Sequence, residues 1–266
     1  MPEIAPEMTP KPALEIVTVA ALSDNYDFLV HDPVSGRTAL VDAADPAPII
    51  KALSERGWTL DEIWLTHHHW DHIDGAAGVF EATGATITGA KADQHRLPPL
   101  TRAVEPGQSF EFAGHEVRVM GADGHTVGHI AYYIPDAKAL FSADSLMALG
   151  CGRLFEGTPE QMWETLSRFA ALPPDTMVYS GHEYTASNAR FALTVEPDNT
   201  ALQNRAKAID EARAKGEATV PSALSLELAT NPFLRAGLAP VKQALGMADA
   251  SDVAVFAAIR TRKDRF

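Results

Sequence analysis

The sequence has few of the residues that stabilise small secreted proteins or hold proteins in membranes. It contains one cysteine, Cys151, among 266 residues. A single thiol excludes an internal disulfide framework and a zinc site built from several thiolates. No apolar run reaches the roughly eighteen residues that a membrane span needs, and the first residues lack the order of a secretory signal. We therefore expect a cytoplasmic protein with no membrane partner.

Positive charge is also scarce. The chain has 22 Lys and Arg residues against 35 Asp and Glu residues, which gives a formal net charge of −13. A surface this acidic repels phosphate backbones, so nucleic acid is not an expected partner. An anionic small molecule would need a local pocket of cations against the overall field.

The pattern of apolar residues divides the chain into three parts. Residues 1–14 are rich in proline and predict a flexible leader. Residues 15–183 alternate short β-branched strands with helical segments such as "PAPIIKALSERG", which indicates an α/β domain. Residues 184–266 are rich in Ala, Arg, Lys, Glu and Leu and predict a mostly helical domain.

The stretch "THHHWDH" places four of the ten histidines between Thr66 and His72. His67 and His69 would point the same way on an extended segment, where two imidazoles can share one ion. Asp71 and His72 follow directly and could reach a second ion. Because neighbours this close cannot all face one ion, the stretch favours two metal ions.

Later segments place further metal-binding residue types where strands meet loops. "GHTVGH" contains His125 and His129, "FSAD" ends at Asp144, and "SGHEYT" contains His182. Strand ends hold ligands rigidly, and a carboxylate such as Asp144 has two oxygens with which to bridge two ions. From position alone both histidines of "GHTVGH" remain candidate ligands.

These four segments, in this order, resemble the metallo-β-lactamase superfamily. The resemblance implies that residues 15–183 form an αββα sandwich, with two sheets inside, helices outside and the metals at one edge. It assigns Asp144 as a bridge, and it divides the other ligands between a first metal, held by His67, His69 and His129, and a second, held by Asp71, His72 and His182.

A narrower resemblance covers Leu22 to Lys263. "LSDNYDFLV", "GCGRLFEGT", "SGHEYT", "TNPFLR" and "IRTRKD" are similar to glyoxalase II, the hydroxyacylglutathione hydrolase family. This implies hydrolysis of S-(2-hydroxyacyl)glutathione, such as S-D-lactoylglutathione, in methylglyoxal detoxification, by a hydroxide bridging two metal ions. Asp71 and Asp144 would be catalytic. Residues 184–266 would help to bind the peptide, whose contacts the resemblance assigns to Arg153, Phe155, Tyr184, Arg260 and Lys263.

Two positions depart from what some family members have. Arg153 stands in place of a lysine and Phe155 in place of a tyrosine, so one hydrogen bond to the substrate is expected to be missing. Five imidazoles and two carboxylates suit zinc, which we expect, and also iron or manganese. The alternative functions are a glutathione persulfide dioxygenase with one iron, or a lactonase or β-lactamase of the same fold. A monomer is expected.

Overall fold

A computed structural model describes residues 13–266, so the predicted leader lies outside the described residues except for its last two positions. The first sheet contains β1 (Glu15–Ala21), β2 (Asn25–His31), β3 (Thr38–Val41), β4 (Glu62–Trp64), β5 (Thr86–Ala90) and β6 (Arg102–Val104). These strands are adjacent in chain order. The pairs β1–β2 and β2–β3 are antiparallel, and the strands from β3 to β6 are parallel.

The remaining strands form a second sheet and a small hairpin. They are β7 (Ser109–Phe112), β8 (His115–Gly121), β9 (Ile130–Ile134), β10 (Ala139–Ala143), β11 (Leu146–Met147), β12 (Gly150–Cys151), β13 (Met177–Ser180) and β14 (Ser222–Ala223). β11 pairs with β12 alone, and the others form a sheet in the order β14-β13-β10-β9-β8-β7. β10 and β13 are parallel, so their carboxyl ends lie at the same edge.

The helices lie outside the sheets and in the C-terminal region. They are α1 (Pro46–Arg56), α2 (Trp70–Ile73), α3 (Ala76–Thr83), α4 (Pro159–Ala170), α5 (Thr185–Val195), α6 (Thr200–Ala214), α7 (Leu224–Thr230), α8 (Ala239–Ala244) and α9 (Asp252–Asp264). The last five confirm the predicted helical character of residues 184–266. None of the helices within residues 13–266 has the length and apolar character needed to cross a membrane.

Local sequence explains where the outer helices begin. Asp45 precedes α1, and its side chain accepts a hydrogen bond from the backbone N–H of Ala47. Thr158 and Gln161 form a reciprocal capping box at the start of α4. Both helices have a proline in their first turn, where the missing N–H costs nothing.

Side chains from the two sheets meet in a central apolar layer. Trp64 of β4 is fully buried and packs edge-on against Phe112, with ring centroids 5.2 Å apart. Phe28 and Val41 point into the same layer from the first sheet, and Phe141 points into it from the second. Alternate residues of β2, β3 and β4 face the other way, because these strands are covered on both sides.

Each sheet is covered on its outer side by helices. Leu29 and Leu40 pack with Ile49 of α1 in one cluster. Leu140 of β10 packs with Phe169 of α4 in another, which also contains apolar residues of α9. These layers confirm the αββα sandwich. The helical C-terminal region shares the second cluster and adds β14 to the second sheet, so it packs directly on the sandwich.

A buried ion pair fixes the C-terminal helices to each other and to the hairpin. Arg205 of α6 is 7% exposed and Glu227 of α7 is fully buried, and their side chains form a short hydrogen-bonded pair. Glu227 also accepts a hydrogen bond of 2.8 Å from the backbone N–H of Leu149, and one of 3.1 Å from Asn231. Arg205 donates to Thr230 at 2.7 Å. The Glu227 carboxylate is the anionic partner of the Arg205 guanidinium.

We expect Glu227→Gln to lower the free energy of unfolding by about 3–5 kcal/mol, because it leaves the Arg205 guanidinium buried and uncompensated. Urea denaturation followed by circular dichroism measures the loss. Glu211→Gln is the control, because it removes the same charge from an exposed position on α6. Equal denaturation midpoints for the two variants would contradict the structural role of the pair.

Candidate metal centre

The predicted ligands lie at the ends of strands at one edge of the sandwich. His67 follows β4, Asp144 follows β10, and His182 follows β13. The chain after β4 stays extended as far as His69, whose φ is −62° and ψ is 141°. The short helix α2 then begins at Trp70 and carries Asp71 and His72, and the ring centroid of His72 lies 4.2 Å from that of His67. The extended segment and the helix therefore bring four ligands to adjoining places, and His67, His72 and Asp144 also form a ligand-spaced group.

Three imidazoles converge on a first place. His67 Nε2 lies 3.2 Å from His69 Nδ1, and His125 Nε2 lies 3.0 Å from the same atom. Nitrogens bound to one zinc ion at ~2.0–2.1 Å are about 3.3 Å apart in tetrahedral geometry, so these spacings fit a shared ion. Burial lowers the pKa of all three rings, that of His69 to about 4, which favours the neutral form that binds metal.

The structure places His125, and not His129, in this triplet. The ring of His129 is buried and stacks on that of His67 at 4.5 Å and 11°, and its Nδ1 donates to the carbonyl of Ile130 at 3.0 Å. His129 belongs to none of the ligand-spaced groups found in residues 13–266. The geometry therefore favours His125 over the predicted His129 as the third ligand of the first metal, and His129 Nε2 is buried without a hydrogen-bond partner.

Asp71, His72 and His182 form a second group of ligand-spaced atoms. His182 Nε2 lies 3.5 Å and His72 Nε2 lies 3.9 Å from Asp71 Oδ2. Asp144 lies between the two groups, with one oxygen 3.4 Å from His125 Nε2 and 3.3 Å from His182 Nε2. Its other oxygen is 3.5 Å from His72 Nε2. This position suits a bridging carboxylate.

Two buried atoms test whether the residues fit metal ions. His72 Nε2 and Asp144 Oδ1 are inaccessible to solvent and have no hydrogen-bond partner. Unpaired buried polar atoms are costly, and a cation between them would satisfy both. The donor set of imidazole nitrogens and carboxylate oxygens matches zinc, iron or manganese. The seven side chains therefore fit two metal ions.

Carboxylates and carbonyls behind the ligands orient the rings. His72 Nδ1 donates to Asp42 at 2.9 Å, and His182 Nδ1 donates to Asp24 at 2.9 Å. His125 Nδ1 donates to the carbonyl of Arg153 at 2.8 Å. Each bond leaves the opposite nitrogen free to face a metal, which is how outer partners fix a histidine tautomer.

Opposite charges among the metal ligands compensate for the cost of burying them. Burial alone raises the pKa of a carboxyl such as Asp144, but the His182 and His72 rings hold that pKa well below its usual range. Burial alone lowers the pKa of His72, but Asp144 and Asp42 raise it to about 10. Metal binding at His72 therefore competes with protonation of the ring.

Two glycines allow the chain to approach the ligands closely. A Cβ atom at Gly181 would lie 2.7 Å from His72 Cε1 and 2.8 Å from Asp144 Oδ1. A Cβ atom at Gly152 would lie 2.0 Å from the carbonyl oxygen of Asp144. The glycines in "SGHE" and "CGRL" are therefore required by the packing of the site.

A pocket of about 920 Å³ opens beside the ligands and brings together all the residues predicted to bind substrate. Phe155 is 63% exposed, with its ring centroid 5.3 Å from that of His125. Tyr184 stacks on His182 at 4.6 Å. The predicted residues that line the pocket are Arg153, Phe155, Tyr184, Arg260 and Lys263.

Cys151 also lines the pocket but is not suited to be a nucleophile. Its side chain is 5% exposed, and burial raises the pKa of the thiol to about 11. A thiol with such a pKa is protonated at neutral pH and unreactive.

Sequence reasoning missed the residues behind the ligands. Asp42 accepts hydrogen bonds from His72 and from both the backbone and the hydroxyl of Thr66. The signal was an aspartate directly after an apolar strand, the same pattern that revealed Asp144. Asp24 and Asn25 lie in "LSDN", which was noted only for its family likeness. Trp70, which lies in the histidine stretch, is 64% exposed and lines the pocket.

Known proteins share both parts of the chain. The profile of the metallo-β-lactamase superfamily matches residues 27–182, and that of the hydroxyacylglutathione hydrolase C-terminus matches residues 183–266. The hydroxyacylglutathione hydrolase of Ruegeria pomeroyi is 62% identical over 253 residues, which cover 95% of this chain and 99% of that protein. The chain belongs to the hydroxyacylglutathione hydrolase family.

Solved structures show the same fold. A B3 metallo-β-lactamase, BLEG-1, superposes with a TM-score of 0.63 at 18% identity, and the match covers 83% of this chain and 99% of that one. TTHA1623, solved in a di-iron-bound form, superposes with a TM-score of 0.60 at 25% identity, and the match covers 82% of this chain and 99% of that one. The family fold is thus the metallo-β-lactamase fold with a helical C-terminal region.

The two histidines of "GHTVGH" can be separated by metal content. We expect wild-type protein loaded with zinc to hold about two ions per chain, and His125→Gln to hold about one, because the first triplet loses a ligand. His129→Gln, the matched control, should keep about two. Elemental analysis after gel filtration measures the ratio. Loss of an ion from the His129 variant alone would restore the original assignment.

Proposed function

We propose that this protein hydrolyses S-(2-hydroxyacyl)glutathione, such as S-D-lactoylglutathione, to glutathione and a 2-hydroxy acid. The observation that carries the proposal is that two triplets of ligands lie beside one pocket. Aromatic residues such as Phe155 and cations such as Lys263 line this pocket. Glutathione is an anionic peptide, and a chain with a net charge of −13 needs such a local pocket to bind it. The 62% identity to a hydroxyacylglutathione hydrolase supports the same reaction.

We propose that two divalent ions belong to this site, zinc in the first instance. His67, His69 and His125 would hold one ion, and Asp71, His72 and His182 would hold the other, with Asp144 shared. Such ions supply a nucleophilic water at neutral pH and positive charge for the oxyanion. The di-iron form of TTHA1623 supports iron as the first alternative to zinc, and manganese is the second.

Asp71 is the residue that we propose to orient the attacking water. It lines the pocket, and Asn25 donates hydrogen bonds to its backbone carbonyl at 3.0 Å and to its side chain at 3.1 Å. These two bonds fix the direction of the carboxylate. Because Oδ2 accepts the bond from Asn25 and faces His72 and His182, Oδ1 is the oxygen that remains to accept a proton from a water molecule that attacks the thioester carbonyl.

The leaving group explains why the pocket needs no strong general acid. A free thiol has a pKa of about 8.5, so the glutathione thiolate can depart without full protonation. The aromatic rings of Phe155 and Tyr184 line the pocket beside His125 and His182. We propose that they position the peptide, so that its thioester carbonyl faces Asp71 and Asp144.

The sequence alone supports three further proposals. They are a role in methylglyoxal detoxification, a cytoplasmic location and a monomeric state.

The persulfide dioxygenase alternative needs a single iron with two histidines and one carboxylate. The two triplets favour two ions over that arrangement, and the helical region that lines the pocket favours a glutathione thioester over a lactone.

Hydrolysis of S-D-lactoylglutathione, followed by the loss of thioester absorbance, tests the function. We expect turnover by the metal-loaded protein and a decrease in kcat of about a hundredfold or more in Asp144→Asn, which loses the carboxylate shared between the triplets. Asp210→Asn, at an exposed position of α6, should match the wild type. Oxygen consumption on glutathione persulfide, with one iron per chain and no thioester hydrolysis, would favour the dioxygenase.

Phe155 offers a test of the substrate contact. Phe155→Tyr restores a hydroxyl at an exposed position of the pocket wall, and one hydrogen bond contributes about 0.5–1.5 kcal/mol. We expect KM for S-D-lactoylglutathione to fall about two- to tenfold with little change in kcat. Phe80→Tyr, exposed on α3, is the control. An unchanged KM for both variants would remove Phe155 from the peptide site.

A further inference from the structure

The segment that carries Phe155 has no regular secondary structure. Residues 152–157 join β12 to α4 and contain neither a helix nor a strand. The Phe155 ring is largely exposed and lines the pocket. A side chain on a mobile segment loses conformational freedom when a ligand binds, and this loss weakens binding. The contacts that hold residues 152–157 therefore influence how tightly the pocket binds a peptide.

Backbone hydrogen bonds join this segment to the loop that carries His125. The N–H of Phe155 donates to the carbonyl of His125 at 3.1 Å, and the N–H of Gly157 donates to the carbonyl of Gly124 at 3.2 Å. A Cβ atom at Gly157 would lie 2.6 Å from Gly124 Cα, so the two backbones are in close contact. The ring of Phe155 consequently lies 5.6 Å from that of His69, measured between centroids.

The side chain of Glu156 makes a second connection to the same loop. One of its oxygens accepts a hydrogen bond of 2.8 Å from the backbone N–H of Val127, and the other accepts one of 2.5 Å from Arg96. Arg96 also donates to the carbonyl of Val127 at 2.7 Å. Glu156, Arg96 and Val127 thus form a closed ring of hydrogen bonds. The ring joins the loops that follow β5, precede β9 and follow β12.

A buried carboxylate holds Arg96 in its place in the ring. Asp93 is fully buried and forms a short ion pair with Arg96. His68 Nδ1 donates to the other oxygen of Asp93 at 2.9 Å, and His68 lies between the ligands His67 and His69 in the sequence. A buried charge needs such partners, so Asp93 fixes Arg96 relative to the stretch that carries the ligands.

We propose that Glu156 is a positioning residue for substrate binding, which holds Phe155 beside the ligands of the first metal through its bonds to Arg96 and Val127. This inference rests on the proposed function. It gives roles to Glu156 and Arg96, to which the family resemblance assigned none. A segment that is ordered before the peptide arrives binds it more tightly, because less conformational entropy is lost on binding.

The test begins with Glu156→Ala, which removes both bonds and leaves Arg96 paired with Asp93. The Glu156 side chain is 31% exposed, so its truncation opens no buried cavity. We expect KM for S-D-lactoylglutathione to rise about fivefold with kcat nearly unchanged, because binding now has to order the segment. In a Phe155→Ala background the same substitution should leave KM unchanged, since no ring remains to be positioned.

Glu164→Ala is the matched control. Its carboxylate also accepts a hydrogen bond from an arginine, Arg168 at 2.6 Å, but the pair lies on α4 and does not line the pocket. It should leave KM unchanged in both backgrounds. An unchanged KM in Glu156→Ala, or an equal rise with and without Phe155, would overturn the proposal. Loss of metal from Glu156→Ala, measured by elemental analysis, would place the effect at the ligands and would also overturn it.

Hydrogen exchange of the metal-loaded protein, followed by mass spectrometry, measures the order of the segment without turnover. We expect Glu156→Ala to speed exchange at the amides of residues 155–157 about tenfold, because the bonds to residues 124 and 125 open more often. Glu164→Ala should leave these amides as they are in the wild type. Unchanged exchange in Glu156→Ala would refute the positioning role.

Calorimetry of glutathione binding separates this inference from the function. Wild-type protein that binds glutathione but leaves the thioester intact would overturn the proposed function. In that case, weaker glutathione binding by Glu156→Ala only where Phe155 is present would still support the positioning role. Equal binding by Glu156→Ala and the wild type would refute it.

Discussion

The site depends on the interaction of the Asp144 carboxylate with the surrounding imidazole rings. The carboxylate is buried among imidazoles of both ligand groups, and an isolated charge at that depth would be very costly. The surrounding rings stabilise it only if their other nitrogens are held in the right tautomer. Asp42 and Asp24 perform this task for His72 and His182. The site is thus a network of compensating charges, and a cation completes it.

The fold makes this network possible by bringing strand ends together. Parallel pairing of β3 with β4 places Asp42 beside the segment that begins at Thr66. Parallel pairing of β10 with β13 places Asp144 beside His182. Segments after strands of the first sheet therefore contribute four of the seven ligands, and segments after strands of the second sheet contribute three. Because both sheets are covered on their outer faces, the edge between them is where polar side chains can gather and remain accessible.

The sequence was sufficient to predict the ligand stretch and the fold class. It was insufficient where a role depends on the direction in which a side chain points. Residues at positions 67, 69, 71 and 72 could be predicted because their spacing alone separates them into two pairs. His125 and His129 both precede β9, and nothing local reveals that one ring faces the pocket while the other stacks on His67. Arg190, which lines the pocket from α5, was missed for the same reason, since an arginine on a helix is usually solvated.

The pocket has two opposite electrostatic requirements, one for binding metal cations and one for binding an anionic peptide. The acidic residues that give the chain its charge of −13 favour cations, and around the metal ligands they assist metal binding. The same charge opposes the approach of an anionic peptide. Cations that line the pocket, on α5, α9 and the segment after β12, reverse the field locally. Two of these elements belong to residues 184–266, so the helical region supplies most of this positive charge, and Arg153 of the sandwich supplies the rest.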